Sequence, residues 1–440
     1  MRMKFNKSSQ LLLVSAASFL VAGLMTACST ATLDFVYVSS SLAAGPNSYG
    51  EIDVFEINAV SGFMRPIPAS PFPSGGRDPV AEAVSSDNAT LYVVNQLDNN
   101  IVQFLIGSDG KIYPQNTVNT PGIYPLAVAV NGSNLFVVDT FQPLATCSLA
   151  DPCSGSVAVF PIEPASGTGS TATPAGALGP PVTNTSNSAT YWPLINPNNL
   201  SHVMVPTAVN VLHGGAYVYV TAYDSAAVAV SNSGSVNICN LNASAYAGAV
   251  GYIFGFSVGS NGALTAIPGS PFAARPGSPS PAESLPCGIA SDSSGGHVYV
   301  TDYIKGDVLG FSVASGVLTS LGSPFPAGNQ PLAITVDPTY SFAYVANSLD
   351  GTVSAYSIGS SGALSSIGTY DTGIQPVAIG IDPSASHFVF TANFLGNNVS
   401  DFEMSTTAGT LINTQHSPYT SNAQPTAVAA VPNSGGPGAK

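Results

Sequence analysis

The sequence predicts an all-β chain, a seven-bladed β-propeller of four-stranded blades whose ring is closed by pairing of its N- and C-terminal strands. Three observations predict it. The composition is 45% apolar and only 7% charged, with 44 glycines and 35 prolines. That balance excludes a helical bundle, which needs charged outer faces, and a disordered chain, which lacks apolar residues. A short strand-and-turn unit recurs along most of the chain. Finally, the copies mismatch at the two ends in a way that pairing the ends would repair.

Residues 1–27 read as a targeting segment. Arg2, Lys4 and Lys7 form a basic start, and Leu11 to Leu24 is an apolar run ending at Leu24-Met25-Thr26-Ala27-Cys28. A run this short, closed by small residues, predicts a cleaved signal rather than a membrane span. The cysteine after Thr-Ala resembles a bacterial lipobox, with Met25 where leucine is usual, and implies lipidation of Cys28. The alternative is an ordinary secretory signal in which Cys28 is incidental. The expected location is the bacterial cell envelope, with the membrane met only through the anchor. Cleavage removes three positive charges and no negative ones, so the net charge moves from −14 to −17. Such a surface repels phosphates and excludes nucleic acid as a partner. A short linker, 28–34, then leads into the propeller at 35–432, and 433–440 is expected to be a disordered tail.

The repeat is clearest near the C-terminus, where Gln330-Pro331-Leu332-Ala333 and Gln375-Pro376-Val377-Ala378 precede Tyr344-Val345-Ala346-Asn347 and Phe390-Thr391-Ala392-Asn393. The anchoring proline recurs at Pro79, Pro125, Pro206, Pro286, Pro331, Pro376 and Pro425, and six of them are followed by Tyr92, Phe136, Tyr219, Tyr299, Tyr344 and Phe390. Pro425 lacks a following aromatic residue because the chain ends, while Tyr37 lacks a preceding proline. Pairing the strand after Pro425 with the strand at Tyr37 completes a seventh unit and removes the open sheet edges. Each unit reads as strand a after the proline, strand b at the aromatic residue, strand c ending in Phe or Tyr (Phe55, Phe104, Phe160, Phe256, Phe311, Tyr356, Phe402), and a short strand d. A Ser-Pro-aromatic step marks d at Ser70, Ser270, Ser323 and Ser417.

The b–c and d–a loops of a propeller share one face. The b–c stretch is longest in blades one, three and four, numbering from the unit that holds Tyr37, so the added sequence concentrates on that face and marks it as a binding surface. Drift in surface loops is the competing explanation. Cys147 and Cys153 fall in the blade-three insertion, Cys239 in the blade-four one, and Cys287 after Pro286. Four cysteines allow three pairings; proximity favours Cys147–Cys153 and Cys239–Cys287. No metal site and no cofactor are expected.

The Tyr-Val-x-Asn strands resemble the YVTN-repeat propellers and the related lactonase propellers, whose best-known members are 6-phosphogluconolactonase-like. The resemblance implies hydrolysis of a small lactone, a carboxylic-ester hydrolysis that needs an activated water and stabilisation of an oxyanion. The family's His-Pro-Arg-His-like run and Asn-Glu strand end correspond here to Leu285-Pro286-Cys287-Gly288 and Asn95-Gln96, so none of its catalytic residues carries over. Candidates for chemistry come from the inserted face instead: His202 as a base, Arg77 and Arg275 to grip a carboxylate or oxyanion, and Glu283 beside them. Tyr191 and Trp192 could stack on a ring, with Lys305, Asp302 and Asp307 as further ligand contacts. Each has a structural alternative, an ion pair or a loop anchor. Two functions follow: an exported, monomeric lactonase-like hydrolase, or a non-catalytic envelope propeller that binds a glycan or a protein partner.

Overall fold

The computed structural model describes residues 32–41, 48–59, 61–145, 147, 153–166, 175–196, 200–225, 248–277, 282–383 and 387–433. The signal segment, Cys28, Cys239 and the end of the chain from 434 lie outside the described residues. The strands form seven antiparallel sheets, and the innermost strands neighbour one another in an unbroken ring. The chain is a seven-bladed β-propeller. Blade 1 takes strand a from Pro425–Pro432 and strands b and c from Thr32–Ser40 and Glu51–Asn58. The innermost strands of blades 2 to 7 are Pro79–Val84, Ile123–Asn131, Met204–Val211, Pro286–Ser291, Pro331–Val336 and Pro376–Ile381.

Closure follows the pattern read from the sequence, with Tyr37 opposite Ala429 and Val36 opposite Ala430. The seam is longer than the expected boundaries. Thr32 pairs with Asn58 and Asp34 with Pro432, so 32–34 is strand rather than linker. Asn433 also belongs to the seam, donating from its backbone N to the Leu33 carbonyl and from its side chain to the Thr32 carbonyl.

Strand b is covered on both faces by neighbouring blades, which is why it reads as an almost continuous apolar run; Thr90–Asn95, Phe342–Asn347 and Phe388–Asn393 are buried at every residue. Strand a carries a register shift just after its anchor proline in all seven blades. Proline has no N–H to give the ladder, so a bulge there costs no hydrogen bond. The carbonyl before the proline is used elsewhere: those of Asp78, Gln330 and Gln375 accept from the backbone N of Gln96, Ser348 and Phe394, tying each d–a loop to the end of strand b. Strand d is continuous in blades 2 and 6 and broken into two short pieces in the others. At the break the serine of the Ser-Pro step accepts a backbone N–H from strand c: Ser70 from Val54, Ser270 from Gly255 and Ser417 from Asp401.

The blades are joined by a repeated bond. The strand-b tyrosines donate their hydroxyls to a glycine carbonyl in the c–d connection of the next blade: Tyr37 to Gly110, Tyr92 to Gly176, Tyr219 to Gly316, Tyr299 to Gly362 and Tyr344 to Gly409. All five glycines have φ between 67° and 81°, a region L side chains rarely adopt. A Cβ on Gly362 would also lie 2.2 Å from the His297 ring.

Two outcomes are expected. Truncation before Pro425 should unfold the ring cooperatively, seen as loss of the thermal transition rather than a small shift. Tyr299→Phe should cost about 1–2 kcal/mol in chemical denaturation, because the hydrogen bond goes and the Gly362 carbonyl is left buried.

Candidate functional site

Strands a converge on a central channel. At the end where they begin, the face that carries the b–c and d–a loops, the channel widens into a cavity of about 290 Å³. Its wall repeats from blade to blade. The first residue after each proline gives Val80, Leu126, Thr207, Cys287, Leu332, Val377 and Thr426. The third gives Glu82 in blade 2, against Ile289, Ile334, Ile379 and Val428 in blades 5, 6, 7 and 1. Gln96 enters from the end of a strand b. Glu82 is the only titratable side chain among these lining residues, since Cys287 is disulfide-bonded.

Glu82 Oε2 accepts from Ser39 Oγ of blade 1 at 2.5 Å, and the Ala429 backbone of the same blade also lies against the carboxyl. Burial penalises the ionised form and pushes this carboxyl up to about 8, against the opposing effect of the Ser39 hydrogen bond. Burial thus favours the neutral acid, the form able to donate a hydrogen bond. The threonine hydroxyls are committed across blade boundaries, Thr207 to the Pro286 carbonyl at 2.6 Å and Thr426 to the Pro79 carbonyl at 2.6 Å. Glu82 escaped the sequence analysis because it sits three places after an anchor proline, where no family motif draws the eye. The signal was one acid at a position filled by Val or Ile in all six other blades: Val128, Val209, Ile289, Ile334, Ile379 and Val428.

The residues singled out from the sequence lie elsewhere. Arg77, on the blade 1–2 connection, pairs with Asp98, its Nε donating at 2.7 Å. His202, on the blade 3–4 connection, meets Asp224 through Nδ1 at 2.5 Å. Arg275, on the blade 4–5 connection, spans Asp302 (3.0 Å) and Asp307, and Lys305 pairs with Glu283. None of them lines the cavity. Arg77 and Arg275 stand three blades apart around the ring, so these groups do not share one centre. Asp302 is fully buried, and its Oδ1 accepts from the Leu285 backbone N at 3.0 Å. The matching strand-b residues Asp139 and Asn347 take the backbone N–H of Gly122 and Gly328 in the same way. This position fastens the d–a loop.

Trp192, expected on a loop at the mouth, forms part of the broken strand d of blade 3, opposite Val157, and is only 7% exposed. It packs with Leu194, Met204 and Phe254 in the core between blades 3 and 4. Tyr191 beside it is half-buried, and its carbonyl accepts from the Asn184 side chain. Cys147 and Cys153 form a disulfide with Cα atoms 5.3 Å apart. Cys287 is also disulfide-bonded; its expected partner, Cys239, lies outside the described residues. Among the described residues no group of acidic, histidine or cysteine side chains is arranged to hold a metal.

A family profile described as a seven-bladed β-propeller lactonase matches residues 295–429. No curated protein matches the chain. Among solved structures it is similar to a protein of Bacteroides fragilis provisionally assigned as a 6-phosphogluconolactonase, at 19% identity and a TM-score of 0.64, covering 92% of this chain and 99% of that one. It is also similar to the periplasmic gluconolactonase of Pseudomonas aeruginosa, at 18% identity and a TM-score of 0.62, covering 91% and 99%. At these identities the likeness is one of fold.

Burial also raises Asp139 to about 7 and Asp53 to about 6. For each carboxyl the folded value exceeds the unfolded one, so the folded chain binds more protons. Its contribution to stability is complete below about pH 4 and is lost as pH rises through the folded value. Melting temperature should therefore be highest in mild acid and decline between pH 5 and 8.5. Glu82→Gln should remove the part of that decline nearest pH 8; an unchanged profile would contradict the burial argument.

Proposed function

We propose that the chain is a lactonase-like hydrolase that takes a small, uncharged cyclic ester into the upper half of the central channel. The observation that carries this reading is the position of Glu82, a buried carboxyl among the mostly aliphatic side chains of the cavity wall, where burial favours its protonated form. A carboxylic acid kept protonated in an apolar site can donate to an ester carbonyl and strengthen that bond as the oxygen gains charge. Water attacks the carbonyl carbon, the ring C–O bond breaks, and the proton lost by water ends on the released alcohol. The lactonase profile over 295–429 and the fold shared with a gluconolactonase support the substrate class. In this reading the protein acts outside the cytoplasm as a monomer, exported by residues 1–27 and tethered through Cys28, and it needs no cofactor.

One observation favours a second reading, a non-catalytic propeller that binds a glycan or protein partner. His202, Arg77, Arg275 and Lys305 are each held by a carboxylate of the chain itself, so among the described residues no charged acid–base pair lines the cavity.

A lactone panel separates the two. With γ- and δ-lactones, acid release by the mature chain should exceed the buffer rate, decline as pH rises through about 8, and fall about 10²-fold or more in Glu82→Gln. Binding without turnover would establish the second reading. Turnover indifferent to Glu82→Gln would remove Glu82 from the chemistry.

A further inference from the structure

Exposed large apolar side chains gather on the face around the channel mouth. Of the twelve large apolar side chains that the described residues leave exposed, eight lie on b–c or d–a connections and so on the cavity's face. Three occupy one register, the second residue after strand b: Leu97 (40% exposed), Leu349 (66%) and Leu395 (58%). Ile304 holds the same place in blade 5. Ile374, 66% exposed, sits beside Leu395, its carbonyl accepting from the Gly396 backbone N.

These residues are set next to the cavity. Strand b lies about 4.8 Å outward from strand a, and Leu97 directly follows Gln96, which lines the cavity. In blade 5 the rim and the wall meet in one apolar cluster: Ile304 and Leu332 both pack against the buried group that includes Cys287, and Cys287 and Leu332 line the cavity. An apolar path therefore runs from the channel wall onto the rim. Among the described residues the wall presents no cation, and its one titratable side chain is an acid, which disfavours an anionic ligand there.

We propose that the rim formed by Ile304, Leu349, Ile374 and Leu395 on the adjacent blades 5, 6 and 7 holds the aliphatic substituent of the ligand, making the ligand an uncharged alkyl-substituted lactone rather than a phosphorylated sugar lactone. The inference rests on the cyclic-ester reading above. The ring occupies the 290 Å³ cavity and the tail lies outward across the leucines. A tail buried there gains up to about fourfold in affinity per methylene, with less where the contact is partial.

The test uses the mature chain and γ-lactones bearing alkyl tails of increasing length, with binding read by calorimetry and turnover by acid release. Affinity should rise by about two- to fourfold per added methylene over the first few carbons. In the Leu349→Ser/Ile374→Ser/Leu395→Ser variant that rise should flatten while the affinity for unsubstituted γ-butyrolactone stays the same. Ile412→Ser, an exposed site on an outer strand of blade 7, serves as the control and should leave the rise intact. Affinity independent of tail length, or a rise that survives in the triple variant, overturns the proposal. So does a change in oligomeric state by sedimentation without any change in affinity, which would make the leucines a protein contact. Tail-dependent binding with no turnover at any length removes the hydrolase reading and leaves this one standing.

Discussion

The ring depends on a buried phenol finding an acceptor in the next blade. A tyrosine in the middle of strand b is walled in on both faces, and its hydroxyl would be stranded if it stopped short of a hydrogen-bond partner. The glycine carbonyl at the turn between strands c and d of the neighbouring blade meets that need, and only a residue free to take a positive φ can present it there. The bond spans 63 to 97 residues of sequence, so it fixes blade spacing rather than local shape. Blade spacing in turn sets the width of the channel, and thereby the cavity that Glu82 shares. In blades 3 and 7 the strand carries Phe136 and Phe390, which are fully buried without a hydroxyl to satisfy.

Much of this fold was legible because its markers are local and repeat. The prolines, the strand-b aromatics and the unmatched Pro425 and Tyr37 gave seven blades and the seam. The boundaries at 32–34 and Asn433 were less visible, since they are defined by hydrogen bonds to strands nearly 400 residues away. Trp192 was misplaced for a related reason: a two-residue strand has no period to read, so a core residue passed as a loop residue.

The site was less legible than the fold because its chemistry depends on neighbours across blade boundaries. Arg275 looked available until Asp302 and Asp307 were brought to it from 27 and 32 residues further along the chain. Glu82 is the reverse case, a residue that hides in a strand until burial and Ser39 give it meaning. In a chain with so few cations, Arg77, Arg275 and Lys305 serve as ties between loops, while burial favours the neutral form of the one carboxyl in the cavity wall.

The seam also orders events in time. The second strand of blade 1 leaves the ribosome before the other six blades, and its inner partner, Pro425–Pro432, leaves after them. Until then the sheet has a bare inner edge, and the contacts that shut the circle are among the most distant in the sequence. Loop-closure entropy makes such pairing a late and slow step. The propeller therefore cannot be finished piecemeal during translation, and an incomplete chain is an open arc with a sticky end.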